Sequence, residues 1–256
     1  MKVAKSIFLI INYKTFIVTT LAVLSTWLCN YFVLQANFPL TIIGIAIVFP
    51  VVFSIDSAYK RRERTLMLLS DFKAHLTAIH LASQQWVETD THAYAEKGKE
   101  LLLDVYSALQ HYCIINQKSM LKSEKTLDDS VKSLSSHLQG FRHLELPSGE
   151  VSRINQYLSK VIIDIENIKV IRQYRTPVTL RAYSKVFIYS FPIIYGPYFM
   201  YSAQEYSHGL EYFMPVIFSF ILVSLDNIQE HLENPFDQIG EDDVKFDVES
   251  FSGRLS

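Results

Sequence analysis

Two apolar zones, residues 7–55 and 186–225, hold the long hydrophobic runs of this chain, and nearly all of its Lys, Arg, Asp and Glu lie between and after them. Each zone is interrupted once, at Gln35-Ala36-Asn37-Phe38-Pro39 and around Gln204-Glu205-Tyr206-Ser207-His208-Gly209. In the first zone this leaves pieces of roughly 18 to 20 residues, the length a helix needs to cross a bilayer. Two spans joined by a tight turn follow, with two more expected over residues 186–203 and 210–225. The segmentation therefore predicts an integral, multi-pass membrane protein with four crossings.

Orientation follows from the cationic residues, which are retained on the cytoplasmic side. Lys2, Lys5 and Lys14 precede the first span, Lys60, Arg61, Arg62 and Arg64 follow the second, and Arg172, Arg175, Arg181 and Lys185 precede the third. The two short turns carry neither Lys nor Arg. Both termini and the middle region are expected in the cytoplasm. No small-residue cleavage site follows the first apolar run, so it is expected to be a retained span. Trp27, Tyr31, Tyr198, Tyr201, Tyr206 and Tyr212 gather near the outer turns, where amphipathic rings favour the headgroup layer.

A net charge of −2 without a basic stripe excludes nucleic acid as a partner. The two cysteines, Cys29 and Cys113, support neither a disulfide framework nor a Cys-based zinc site.

The region between the zones has helical periodicity. Leu66, Leu69, Phe72, Leu76 and Ile79 follow the second span without a break, so that helix is expected to continue well into the cytoplasm. Leu101, Leu102, Val105, Leu109 and Tyr112 mark another helix, and Ile154, Leu158, Val161, Ile162, Ile165 and Ile168 a third. A weaker pattern covers residues 118–139, and Pro147-Ser148-Gly149 punctuates the approach to the third. The expected division is residues 1–55, first two spans; 56–185, cytoplasmic helical region; 186–225, last two spans; and 226–256, an acidic cytoplasmic tail, partly disordered by composition after Ile239.

None of the patterns HExxH, GxSxG, CxxC or a phosphate-cradling loop occurs, which argues against an enzyme. His75 and His80 are five residues apart with no third ligand nearby in sequence, and read as solvated or hydrogen-bonded helix histidines. The second span carries more information. Ile45, Phe49 and Phe53 recur at i, i+4 and i+8 and form one stripe. Such stripes are usually packing or lipid contact. This one leads into Ser54, Asp56 and Ser57 and then a basic cluster, from the membrane into a polar cytoplasmic helix. Beyond the fourth span, Leu232-Glu233-Asn234-Pro235-Phe236 stops the helix, and Asp237-Gln238-Ile239-Gly240-Glu241-Asp242-Asp243 follows as an acidic loop able to offer oxygen ligands to a hard cation.

Three features in chain order resemble the bestrophin family: Pro39-Leu40-Thr41-Ile42-Ile43-Gly44-Ile45-Ala46 running to Tyr59-Lys60-Arg61, then Arg175-Thr176-Pro177, then Glu233-Asn234-Pro235-Phe236 with Gly240-Glu241-Asp242-Asp243. The resemblance covers most of the chain. It implies an all-α membrane protein with four transmembrane helices per subunit and a helical cytoplasmic region, assembled as a homo-oligomer, a pentamer, in the lipid bilayer of the cell (inner) membrane. It further implies a channel for small monovalent ions, anion (chloride) favoured, with a hydrophobic neck at Ile45, Phe49 and Phe53 and with Asp56, just inside the neck, a candidate charge at the pore entrance. Calcium is the implied cofactor, held by Asn234, Asp242 and Asp243. The tail departs from the animal pattern, because Asp237-Gln238-Ile239 separate Phe236 from the glycine, and Arg62 and Glu63 stand where paired tryptophans are common. A reading of another class, a membrane-anchored helical interaction or signalling module without a pore, rests on the amphipathic middle region.

Overall fold

The computed structural model describes residues 10–86, 92–144, 146–174, 177–203, 209–238 and 243–255. Its α-helices are α1 (Tyr13–Tyr31), α2 (Leu40–Gln85), α3 (His92–Ile114), α4 (Met120–Gln139), α5 (Ser148–Gln173), α6 (Val178–Ile194), α7 (Gly196–Ala203), α8 (Leu210–Glu233) and α9 (Val248–Arg254). The described residues contain no strand. The chain divides into two compact units. One comprises residues 1–61, 175–234 and 239–242, and the other residues 62–174, 235–238 and 243–256.

The first unit is built with its large apolar side chains outward. Helix α1 starts at Asn12, whose side chain accepts a hydrogen bond from the Lys14 backbone N–H at 2.9 Å. Its buried stripe is Thr15, Val18, Ala22, Thr26 and Cys29, while Phe16, Ile17, Leu24, Trp27 and Tyr31 are exposed. A water-soluble helix places its large apolar residues the other way round. Small and weakly polar residues at helix contacts, with apolar bulk outside, are what hydrocarbon selects. Among the described residues α2 and α8 are by themselves long and apolar enough to cross a membrane.

The stretch expected as one span over residues 186–203 is two helices, α6 and α7, with the break at Tyr195. Its cause is local. Pro197 has no N–H to give to the Ile193 carbonyl four residues back. The Ser25 hydroxyl of α1 donates to that carbonyl instead, at 2.6 Å. The same approach requires a glycine at the start of α7, because a Cβ on Gly196 would lie 2.9 Å from Ser25 Oγ and 3.3 Å from the Ser25 carbonyl carbon. Hydropathy runs through this break undisturbed, which is why it reads as one span in sequence.

The second unit is an ordinary helical core. Leu69, Phe72, Leu76 and Ile79 of α2 pack with Leu102, Val105, Leu109 and Tyr112 of α3, Leu127, Leu134 and Leu138 of α4, and Ile154, Leu158, Val161, Ile165 and Ile168 of α5. Ile162, expected in the buried pattern of α5, is 41% exposed. The long continuation of the second span holds, since α2 runs unbroken for 46 residues. Polar links brace the core: His75 Nδ1 meets Asp164 Oδ2 at 2.7 Å, and Lys169, 5% exposed, lies 3.0 Å from Asp128 and 3.1 Å from Glu166. Burial lowers the Lys169 pKa, but the hydrogen bonds its ammonium donates to those two carboxylates outweigh it and hold it above the ordinary lysine value.

The tail corrects the expectation of partial disorder over residues 243–255. Val244, Phe251 and Leu255 are buried in the second unit, together with Phe236. Phe251 stacks on Tyr106 with ring centroids 4.8 Å apart, and Asp247 caps α9 by accepting from the Ser250 N–H at 2.9 Å. Four large apolar side chains within an acidic segment are enough to dock it.

Two outcomes follow. Ser25→Ala removes the side-chain donor to the part-buried Ile193 carbonyl and lowers stability by about 1 kcal/mol, read as a drop in thermal midpoint in detergent; an unchanged midpoint contradicts the link. His80 is 2% exposed, and burial pushes its imidazole below the ordinary value against an opposing hydrogen bond that the ring donates to the Leu255 backbone. A depressed folded pKa contributes stability that is present above the ordinary imidazole value and lost as the pH falls from there through the folded value. The thermal midpoint should therefore decline as the pH falls below about 6.5, the ordinary imidazole value. His80→Gln, which keeps a hydrogen-bonding side chain, should decline less, and equal slopes would refute the assignment.

Candidate functional site

At about 100° per residue, positions 45 to 60 of α2 resolve into two faces. Ile47, Val51, Ser54 and Ala58 fall within an arc of about 60° and are all buried, at 2%, 0%, 0% and 0% exposure. These four seat the helix in the first unit. Ile45, Phe49, Phe53, Asp56 and Lys60 fall within an arc of about 80° centred on the opposite side. Ile45 is 53% exposed, Phe49 57% and Phe53 58%. The proposed neck residues thus share one outward face, with the Phe49 and Phe53 ring centroids 6.0 Å apart. Pro50 lies inside the helix without ending it.

Asp56 occupies the middle of the same face, and its carboxylate pairs with Lys60 Nζ at 2.7 Å. Lys60 was not singled out from the sequence as a partner of Asp56, although a cation four residues after an acid on a helix is the signal for such a pair.

A ladder between α6 and α8 positions the rest of the unit. Arg181, Lys185 and Tyr189, spaced four apart on α6, face Glu233, Glu230 and Asp226 on α8 in antiparallel order. Arg181 donates to Glu233 at 2.9 Å, Lys185 to Glu230, and Tyr189 to Asp226 at 2.6 Å. From α1, Lys14 reaches Glu230 at 2.7 Å, and Asn12 donates to Asn227 at 2.9 Å. Asp226 and Glu233 are 0% and 4% exposed, a depth at which unpaired carboxylates are strongly destabilising. This ladder was not anticipated, because each rung joins residues 37 or more positions apart.

The third group of candidates lies at the end of α8. Asn234 is the C-terminal cap of that helix. Asp243 is 8% exposed within the second unit, where the Val244 N–H donates to the Pro235 carbonyl at 2.8 Å. Asp242, with Gly240 and Glu241, lies outside the described residues.

No protein-family model matches the chain, and no curated protein matches it. Solved structures do. A single-substitution variant of a bacterial bestrophin homologue from Klebsiella pneumoniae superposes with a TM-score of 0.81 at 14% identity, over 94% of this chain and 97% of that one. A second structure of a bacterial bestrophin homologue from that organism, phased on zinc, gives 0.79 at 12% identity over 95% and 96%. A variant described as a membrane protein gives 0.80 at 13% identity, also over 95% and 96%.

The chain has a bestrophin-like fold. In this bestrophin-like chain the described residues bring no three His, Cys, Asp or Glu side chains together at metal-binding distance.

Proposed function

We propose that the protein is a homo-oligomeric, pentameric channel for small monovalent ions, with its neck at Ile45, Phe49 and Phe53. It sits in the cell membrane as a multi-pass protein with both termini cytoplasmic. The observation that carries this reading is the outward face of α2. In a bestrophin-like fold spanning nearly the whole chain, a helix buries one face within its subunit and presents large apolar side chains on the other. Copies arranged about an axis give that face a surface to meet, and closed rings are the usual way a chain repeats one interface.

A narrow collar of Ile and Phe resists ions by dewetting. The edge of an aromatic ring carries partial positive charge, so Phe49 and Phe53 turned edge-on lower the barrier for an anion more than for a cation. Chloride is the favoured ion in this reading. The ladder of Arg181, Lys185 and Tyr189 against Glu233, Glu230 and Asp226 contributes by fixing the helices behind the neck.

Replacing Phe49 and Phe53 together by Ala widens the collar and should raise single-channel conductance in planar bilayers. A well-assembled variant with unchanged current would count against the neck, and a purified protein that is monomeric and silent would favour a helical interaction module.

A further inference from the structure

The neck stripe holds no fixed charge, so its own contribution to selectivity is the weak preference of ring edges. The first fixed charges met beyond Phe53 on α2 are Asp56 and Lys60, and both fall on the stripe's own face. Asp56 stands about 4.5 Å past Phe53 along the helix axis, and Lys60 about 6 Å further. Their side chains are 46% and 73% exposed, and they meet each other at 2.7 Å. The neighbouring Ser54 and Ala58 are buried on the opposite face and present nothing to the outward side.

We propose that the Asp56–Lys60 pair sets the sign of the ion that passes, with Lys60 cancelling the field that Asp56 alone would place at the inner end of the neck. The proposal rests on the pore reading of α2. A carboxylate ring at a narrow apolar constriction raises the local concentration of cations and excludes anions. A lysine paired with each carboxylate replaces that net charge by a short dipole, whose field falls off faster than that of a single charge. The Ile and Phe collar is then left to express its own anion preference. The pair is exposed and therefore weakly held, so removing one member frees the other without disturbing the buried face that seats the helix. An uncancelled unit charge a few ångströms from the ion path changes occupancy by roughly fivefold even at the dielectric constant of water.

The test is the reversal potential of purified protein in planar bilayers under a potassium chloride gradient. Lys60→Gln should move the chloride-to-potassium permeability ratio toward potassium by roughly fivefold, and Asp56→Asn should move it toward chloride by a similar factor. The exchanged pair, Asp56→Lys with Lys60→Asp, keeps the bridge and brings the positive charge nearer the neck, so it should also move toward chloride. This third variant carries the test if either single variant assembles poorly. Reversal potentials that stay at the wild-type value in all three, while the Phe49 and Phe53 double alanine variant raises conductance, overturn the selectivity role and leave the pore standing. No current from the wild-type protein, or current indifferent to the neck substitutions, overturns the pore reading and this proposal with it.

Discussion

Between residues 45 and 60, helix α2 presents two faces about half a turn apart, and one chain buries only the face made of Ile47, Val51, Ser54 and Ala58. Small side chains at Ser54 and Ala58 on that face are of the kind helices pack with where no water drives them together. The price is that Ile45, Phe49 and Phe53 remain outward. They are tolerable in lipid, and they become functional if copies of the chain turn them toward a shared axis. Ile47 and Val51 pack with Val18, Ile188, Phe191 and Leu222, so the helices that carry those residues set the rotation of α2.

Two polar devices do the holding, and both answer the same difficulty, a polar group with no water to satisfy it. The Ile193 carbonyl loses its helical partner to Pro197 and gains the Ser25 hydroxyl. Asp226 and Glu233 enter the buried face of α8 and are met by Tyr189 and Arg181, while the half-exposed Glu230 beside them takes Lys185 and Lys14. Removing one partner from such a set leaves the other buried and unpaired, which costs more than the pair contributes. That asymmetry favours a single packing of α1, α6 and α8. The second unit is stabilised by water-driven burial instead, with Tyr106 stacked on Phe251 and the four-helix core around Leu109.

The sequence makes some of this legible and hides the rest for physical reasons. The four-residue spacing of Ile45, Phe49 and Phe53 is a local property, so their common face could be read directly. The helices around Leu76, Leu109 and Ile165 were legible in the same way. The break at Tyr195 was not, because Phe191, Ile193, Tyr195 and Phe199 keep the hydropathy high on both sides of it. The partners of Glu230 were hidden as well, since Lys14 lies 216 positions away. In the tail, the acids masked Val244, Phe251 and Leu255, whose burial depends on a surface built by α3. The pairing of Asp56 with Lys60 was available from spacing alone, and its importance emerged only once both were seen on the neck face.

In the pore reading, the outward face of α2 is completed by other copies of the same chain. The mass of the intact complex in detergent, taken by native mass spectrometry, tests it most directly. A closed ring of five chains is the predicted result, because a pore on a symmetry axis requires every subunit to contribute the same face. A monomer that keeps its native helical content would contradict the claim, since Ile45, Phe49 and Phe53 would then face lipid alone.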